Sequence, residues 1–174
     1  MARTARLGKS WPGPYRPLRW KLLLDIARQQ NMDVLPVDFT ITPEHLEAAE
    51  RAQNIAVREG DVVLLRTGWA RYWEDAGRFI SQVRGPGPGE AGARWISARH
   101  AFAAGSDTVA FEFVPALNMP VHVHLLVESG IHIIECLNLE QLAADGVHEF
   151  IFIAAPLKIR GGTGSPIRPL ALAV

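Results

Sequence analysis

The chain has 174 residues, enough for one domain that buries a sizeable core. Eighteen basic and eighteen acidic side chains cancel. The balance excludes the basic surplus of a nucleic-acid binder and offers no charge for an anionic membrane. No apolar run approaches the roughly 20 residues of a membrane helix. The single cysteine, Cys136, allows no intrachain disulfide and fits a reducing cytoplasm. These features predict a cytoplasmic protein that handles a small molecule.

In chain order, residues 1–20 are rich in Pro and Gly and carry Arg3, Arg6, Lys9, Arg16 and Arg19 with no acid. Trp11-Pro12-Gly13-Pro14 breaks any long amphipathic helix there. The segment is read as an irregular arm ahead of a single α/β domain over 21–174. Residues 22–27 form a short apolar run of either type. Thr42-Pro43-Glu44 starts a helix, with Thr as N-cap, Pro in the first turn and an acid at the positive end of the dipole. The aliphatic run Val62–Thr67 predicts a buried strand. A short helix is expected over 70–73.

Gly85–Gly89 alternates Gly and Pro and predicts a loop, followed by a helix over 90–99. Strands are expected at 101–104 and 108–113 around a Gly105-Ser106-Asp107 turn. A short helix over 122–128 ends at Gly130, and a strand covers 131–137. A helix at 139–144, a long strand at 150–159 and a last strand at 167–173 complete the chain. Alternating strands and helices predict an α/β domain built on a mixed sheet.

Chemistry gathers in Pro120-Val121-His122-Val123-His124, followed by Ile134-Glu135. Imidazole and carboxylate together suit a borderline or hard divalent ion such as Zn²⁺ or Mn²⁺. On a strand, His122 and His124 share a face; on a helix, they lie far apart around it. Glu135 stands among Ile133, Ile134, Cys136 and Leu137, where a carboxylate needs a partner, a proton or a metal. Strand alternation puts His132 on the face away from Glu135. Asp107 is either an Asx turn or a carboxylate that orients a ligand histidine. Arg66 and Trp69 end a strand, where α/β folds often place substrate contacts. Gly161–Pro166 lacks the lysine and helix of a phosphate loop.

The ordered set Arg66-Thr67-Gly68-Trp69, Gly105-Ser106-Asp107-Thr108, Pro120–Glu135, Ala155-Pro156-Leu157 and Gly162-Thr163-Gly164-Ser165-Pro166 resembles the cyclase family of metal-dependent hydrolases. That family includes kynurenine formamidases and isatin hydrolase. The resemblance covers residues 22–172. It implies a swivelling β/β/α architecture, hydrolysis of amide or lactam bonds in small molecules, a Zn²⁺ or Mn²⁺ ion and a homodimer. It also implies that one histidine and Glu135 ligate the metal. His122 matches by its preceding Pro-Val and its spacing to Leu125-Leu126; His124 is nearer the usual histidine-to-glutamate distance. The family's HxGTHxD motif, with three ligands, is absent from these 174 residues. The chain therefore reads as the C-terminal portion of the fold, N-terminally truncated, with an incomplete site. The alternative is a binding or oligomer-forming module that keeps the fold without the chemistry.

Overall fold

The computed structural model describes residues 20–80 and 84–173. The arm expected at 1–20 lies outside them, apart from Trp20 at the start of the first strand. Six strands form one mixed sheet: β1 (Trp20–Asp25), β3 (Val62–Arg66), β5 (Ala103–Ser106), β6 (His132–Ile134), β7 (Glu149–Ile153) and β8 (Leu170–Ala173). Their order is β6-β5-β3-β1-β7-β8. The first four run parallel, whereas β7 is antiparallel to β1 and β8 antiparallel to β7. A small second sheet pairs β2 (Thr40–Ile41) with β4 (Gly87–Pro88) in parallel.

The parallel strands alternate their apolar side chains between two cores, as the period of two requires. Leu22, Leu24, Val63, Leu65 and Ala104 face one core. That core is covered by α1 (Ile26–Gln29), α2 (Pro43–Gln53), α4 (Glu90–Ala98) and α5 (Pro120–His122). Leu23, Val62, Leu64 and Ala103 face the other, closed by Leu139 and Ala143 at α6 (Glu140–Ala144) and by Phe150. Between these lie a 3-10 turn at Trp69–Tyr72 and the short α3 (Ala76–Ile80). α5 runs directly into a wider π-helical turn at Val123–Glu128.

Several expected elements stand where the sequence put them: α2 behind Thr42, β3, the turn at 69–72, α4 and α6. Four differ. Gly85–Gly89 is more than a loop: its buried centre is β4, and Gly85 bridges to Val114. Thr108–Phe113 is not a strand: Thr108 Oγ1 folds back on the Ala110 carbonyl, and backbone bonds are single, Cys136 N–H to Thr108 C=O and Phe113 N–H to Pro88 C=O, instead of a ladder. The strand expected at 150–159 stops at Ile153, and the one expected at 131–137 stops at Ile134. In the latter, Cys136 takes φ +57°, which no strand continues through.

Candidate metal centre

Parallel strands deliver their C-terminal ends to one edge of the sheet, where α/β proteins build sites. Here that edge carries Asp25, Arg66, Ser106-Asp107 and Glu135 at the ends of β1, β3, β5 and β6. His122 reaches it from the other side. Met119 adopts φ +45° and Pro120 opens α5, so the chain turns sharply and seats buried Val121 in the core beneath His122.

His122 lies between two carboxylates. Its Nδ1 is 2.5 Å from Glu112 Oε1, and its Nε2 is 3.2 Å from Glu135 Oε1. Glu112 is buried, and its second oxygen accepts the Val121 N–H at 3.1 Å. Glu135 is half-buried and accepts the Phe111 N–H at 2.7 Å. The hydrogen bond to Glu135 raises the His122 pKa above the ordinary imidazole value. Burial opposes it and Glu112 adds to it. Burial, with the Glu135 charge added, pushes the Cys136 thiol up, so the thiolate is disfavoured.

His124 is not part of this arrangement. The helical course of 120–128 sends it away from Glu135. Its Nε2 meets Ser97 Oγ at 2.8 Å and its Nδ1 meets Glu128 at 2.7 Å. Nε2 ties the π turn to α4 and Nδ1 closes onto Glu128 within the turn, so the structure brings Glu135 to His122 and not to His124. His132 stacks edge-on against Phe102, away from the site.

The other expected residues also have defined places. Asp107 does not orient a histidine. Its carboxylate accepts from Thr67 N (2.9 Å), Thr67 Oγ1 (2.7 Å) and Gly68 N (2.8 Å). It thereby shapes the Arg66–Trp69 turn, in which Gly68 takes φ +83° with its Cα against the Asp33 carbonyl. The orienting position beside a histidine belongs to Glu112. The sequence did carry a signal for it: an acid between Phe111 and Phe113 ahead of Pro115 is as conspicuous as Glu135 in its run.

Arg66 is buried and pairs with Glu140 through Nε (2.7 Å) and Nη2 (3.0 Å), and with Asp25 through Nη1 (2.9 Å). Each guanidinium nitrogen is thus taken by the protein, which ties the sheet to α6, and the side chain lines a cavity of about 510 Å³ with Arg28, Asp33, Arg71 and Glu140. Trp69 is buried, with Nε1 on the Phe79 carbonyl at 3.3 Å and its ring edge-on to Tyr72. It borders a cavity of about 700 Å³ along Val34–Val37 and Pro115, which neither His122 nor Glu135 lines. Glu135 borders a different, mostly apolar cavity of about 420 Å³ with Leu64, Cys136, Leu139 and Phe150. His122 and Glu135 therefore meet, and Trp69 packs elsewhere.

The donor pair can be tested against an ion by distance. Two donors about 2.1 Å from one ion and roughly 100° apart around it stand about 3.2 Å from each other. His122 Nε2 and Glu135 Oε1 have that separation. Behind the histidine, Glu112 holds Nδ1 as carboxylates do behind metal-bound imidazoles. The pair fits a divalent ion. Among the described residues no third His, Cys, Asp or Glu joins it around one point. Residues 1–19, 81–83 and 174 contain none of these four types.

Comparison with known proteins agrees with the fold and its edge. The Cyclase family model matches residues 17–113. Isatin hydrolase of Roseibium aggregatum is 32% identical over 158 residues, covering 86% of this chain and 57% of that protein. A solved structure described as a novel cyclase superposes with a TM-score of 0.81 at 36% identity, over 89% of this chain and 53% of its own. Another, described as a potential metal-dependent hydrolase with cyclase activity, gives 0.66 at 26% identity, over 88% and 64%. The chain thus spans between half and two thirds of the length of these relatives. More than half of its residues match the family model, and its fold superposes on that of the solved cyclase, so the chain belongs to the Cyclase family.

Proposed function

We propose that this chain carries the His122–Glu135 part of a divalent-metal hydrolase site that acts on an amide or lactam bond of a small molecule. The observation that carries the reading is the 3.2 Å approach of His122 Nε2 to Glu135 Oε1 with Glu112 behind the ring. His122 and Glu135 would hold the ion, Zn²⁺ or Mn²⁺. Such an ion lowers the pKa of bound water and polarises a carbonyl. Glu112 keeps the imidazole oriented, and Phe111 N–H keeps the Glu135 carboxylate turned toward it. The apolar cavity beside Glu135 suits an aromatic or aliphatic substrate body. The name of the isatin hydrolase relative supports a lactam among the substrates to try.

Two donors fall short of the three that catalytic zinc sites use. The chain by itself is therefore expected to bind Zn²⁺ weakly and to turn over little substrate. A second reading, a small-molecule-binding or oligomer-forming module, is favoured by the same donor count. We propose a cytoplasmic homo-oligomer in either case. Calorimetric titration with Zn²⁺ and Mn²⁺, and hydrolysis of isatin and N-formylkynurenine with either ion added, separate the two. Weak metal binding lost in Glu135→Ala and His122→Ala supports the metal site. A tight stoichiometric site that survives both substitutions sinks it. Turnover that both substitutions abolish identifies a complete enzyme; no turnover with metal bound favours the module.

A further inference from the structure

We infer that Glu112 is a positioning residue that fixes the tautomer of His122, keeping the proton on Nδ1 and leaving the Nε2 lone pair beside Glu135. The inference rests on the metal-site reading for its purpose, but it is tested without metal.

The two carboxylates on His122 are not equivalent. The Glu112 side chain is 2% exposed and that of Glu135 is 34% exposed, so the open side of the ring is the Nε2 side. An ionised carboxylate only accepts, and a neutral imidazole has one N–H to give. Glu112 Oε1 is the nearer partner, at 2.5 Å against 3.2 Å, and the more deeply buried. Leaving that buried oxygen facing a lone pair costs more than leaving the half-exposed Glu135 oxygen, which already holds the Phe111 N–H at 2.7 Å.

The placement of Glu112 is itself enforced. Its second oxygen is fixed by the Val121 N–H, one residue before the histidine. Its backbone lies directly on Gly87, where an added Cβ would come within 2.5 Å of the Glu112 carbonyl carbon. Phe113 N–H donates to the Pro88 carbonyl at 3.0 Å. β4 thus braces the segment that carries Glu112, and the Phe111 N–H of the same segment aims Glu135. One short stretch sets both sides of the ring.

The experiment uses the full chain with ¹⁵N-labelled histidine and long-range ¹H–¹⁵N correlation, with the pH raised until the two His122 ring nitrogens show the unequal shifts of a neutral imidazole. His122 is identified by the signal lost in His122→Gln. The wild type is expected to show the Nδ1–H pattern. In Glu112→Gln the single side-chain oxygen is claimed by the Val121 N–H, so the amide NH₂ faces Nδ1 and His122 should switch to Nε2–H. Glu112→Asp keeps a carboxylate and should keep the wild-type tautomer; it also serves if Glu112→Gln does not fold. An Nε2–H wild type, or a Glu112→Gln variant with the wild-type pattern, overturns the inference.

Zn²⁺ is then added. A shift of the His122 Nε2 resonance in the wild type, with affinity reduced about 10- to 100-fold in Glu112→Gln, supports both readings. If the tautomer switches on substitution but Zn²⁺ moves no His122 resonance, the positioning role stands and the metal reading falls.

Discussion

Asp107 exchanges water for three donors in a fully buried position, and burial wins: its pKa is pushed up to about 6 although all three hydrogen bonds pull it down. An acid whose folded pKa exceeds its unfolded value binds its proton more tightly in the native state. Its contribution is therefore greatest below pH 4 and is lost as pH rises through about 6. A rise from 3.8 to about 6 corresponds to about 3 kcal/mol at most. Urea midpoints of wild type and Asp107→Asn should show a wild-type advantage that shrinks between pH 4.5 and 7; a flat difference means that Asp107 stays ionised when folded. Arg66 is the converse case. Burial pulls its pKa down, but the Glu140 and Asp25 carboxylates more than offset this and hold it above the ordinary arginine value. Removing it leaves Asp25, with a side chain only 1% exposed, facing no cation within hydrogen-bonding distance among the described residues. Arg66→Met should therefore cost about 3–5 kcal/mol. The double variant with Asp25→Leu should recover part of that; chemical denaturation of the set checks it. Both residues read in the sequence as chemistry, and in the structure both have partners within the fold. A buried ion pair and a ligand contact look alike until the partner, here 41 or 74 positions away, is known.

At the scale of elements, local chemistry was legible and long-range pairing was not. Thr42-Pro43-Glu44 starts α2 because cap, proline and acid act within one turn. The run at 62–66 is a central strand because aliphatic side chains satisfy both faces. By contrast, Gly85–Gly89 reads as a breaker in any single-chain window, yet its backbone groups are spent on β2 and on 113–114. Likewise Glu135 is legible from the cost of a carboxylate in an apolar run, whereas Glu112 is masked by the strand-like composition of 108–113 and shows its partners only in the fold. Gly87 joins the two misreadings. Its missing Cβ lets the 111–113 backbone lie against β4, with Glu112 C at 2.5 Å and Phe111 O at 2.6 Å from where a methyl would sit. Gly87→Ala should destabilise the fold by about 1–3 kcal/mol through overpacking. It should also move the His122 side-chain resonances, because the displaced segment carries both Glu112 and the Phe111 N–H. Gly146→Ala is the control: its strain is of another kind, a side chain at φ +64°, and an added methyl there meets nothing within 4 Å. It should lower the melting temperature and leave His122 unmoved.

Across the whole molecule, the sheet that gathers the site also leaves two open ends. Among the described residues β6 and β8 each have one paired side, and β8 ends the order next to β7. An unpaired strand presents a row of backbone N–H and C=O groups that another chain can extend. Around β8 the apolar side chains are not covered: Leu170 is 49% exposed, with Ile153 at 47%, Leu157 at 59% and Ile159 at 51%. A charge at this edge is the usual protection, and none of Leu170–Ala173 supplies one. Self-association through β8 is therefore expected to rise with concentration in sedimentation velocity. Leu170→Lys places a charge on an exposed position of the strand. It should shift the population toward monomer with little change in melting temperature, because that side chain is already half out of the core. A charge reversal on the opposite side of the molecule, Arg94→Glu, should leave association unchanged. Monomeric wild type at every concentration, or equal association in Leu170→Lys, would remove β8 as the contact. It would leave the exposed Leu126 and Val127 of the π turn as the next surface to substitute.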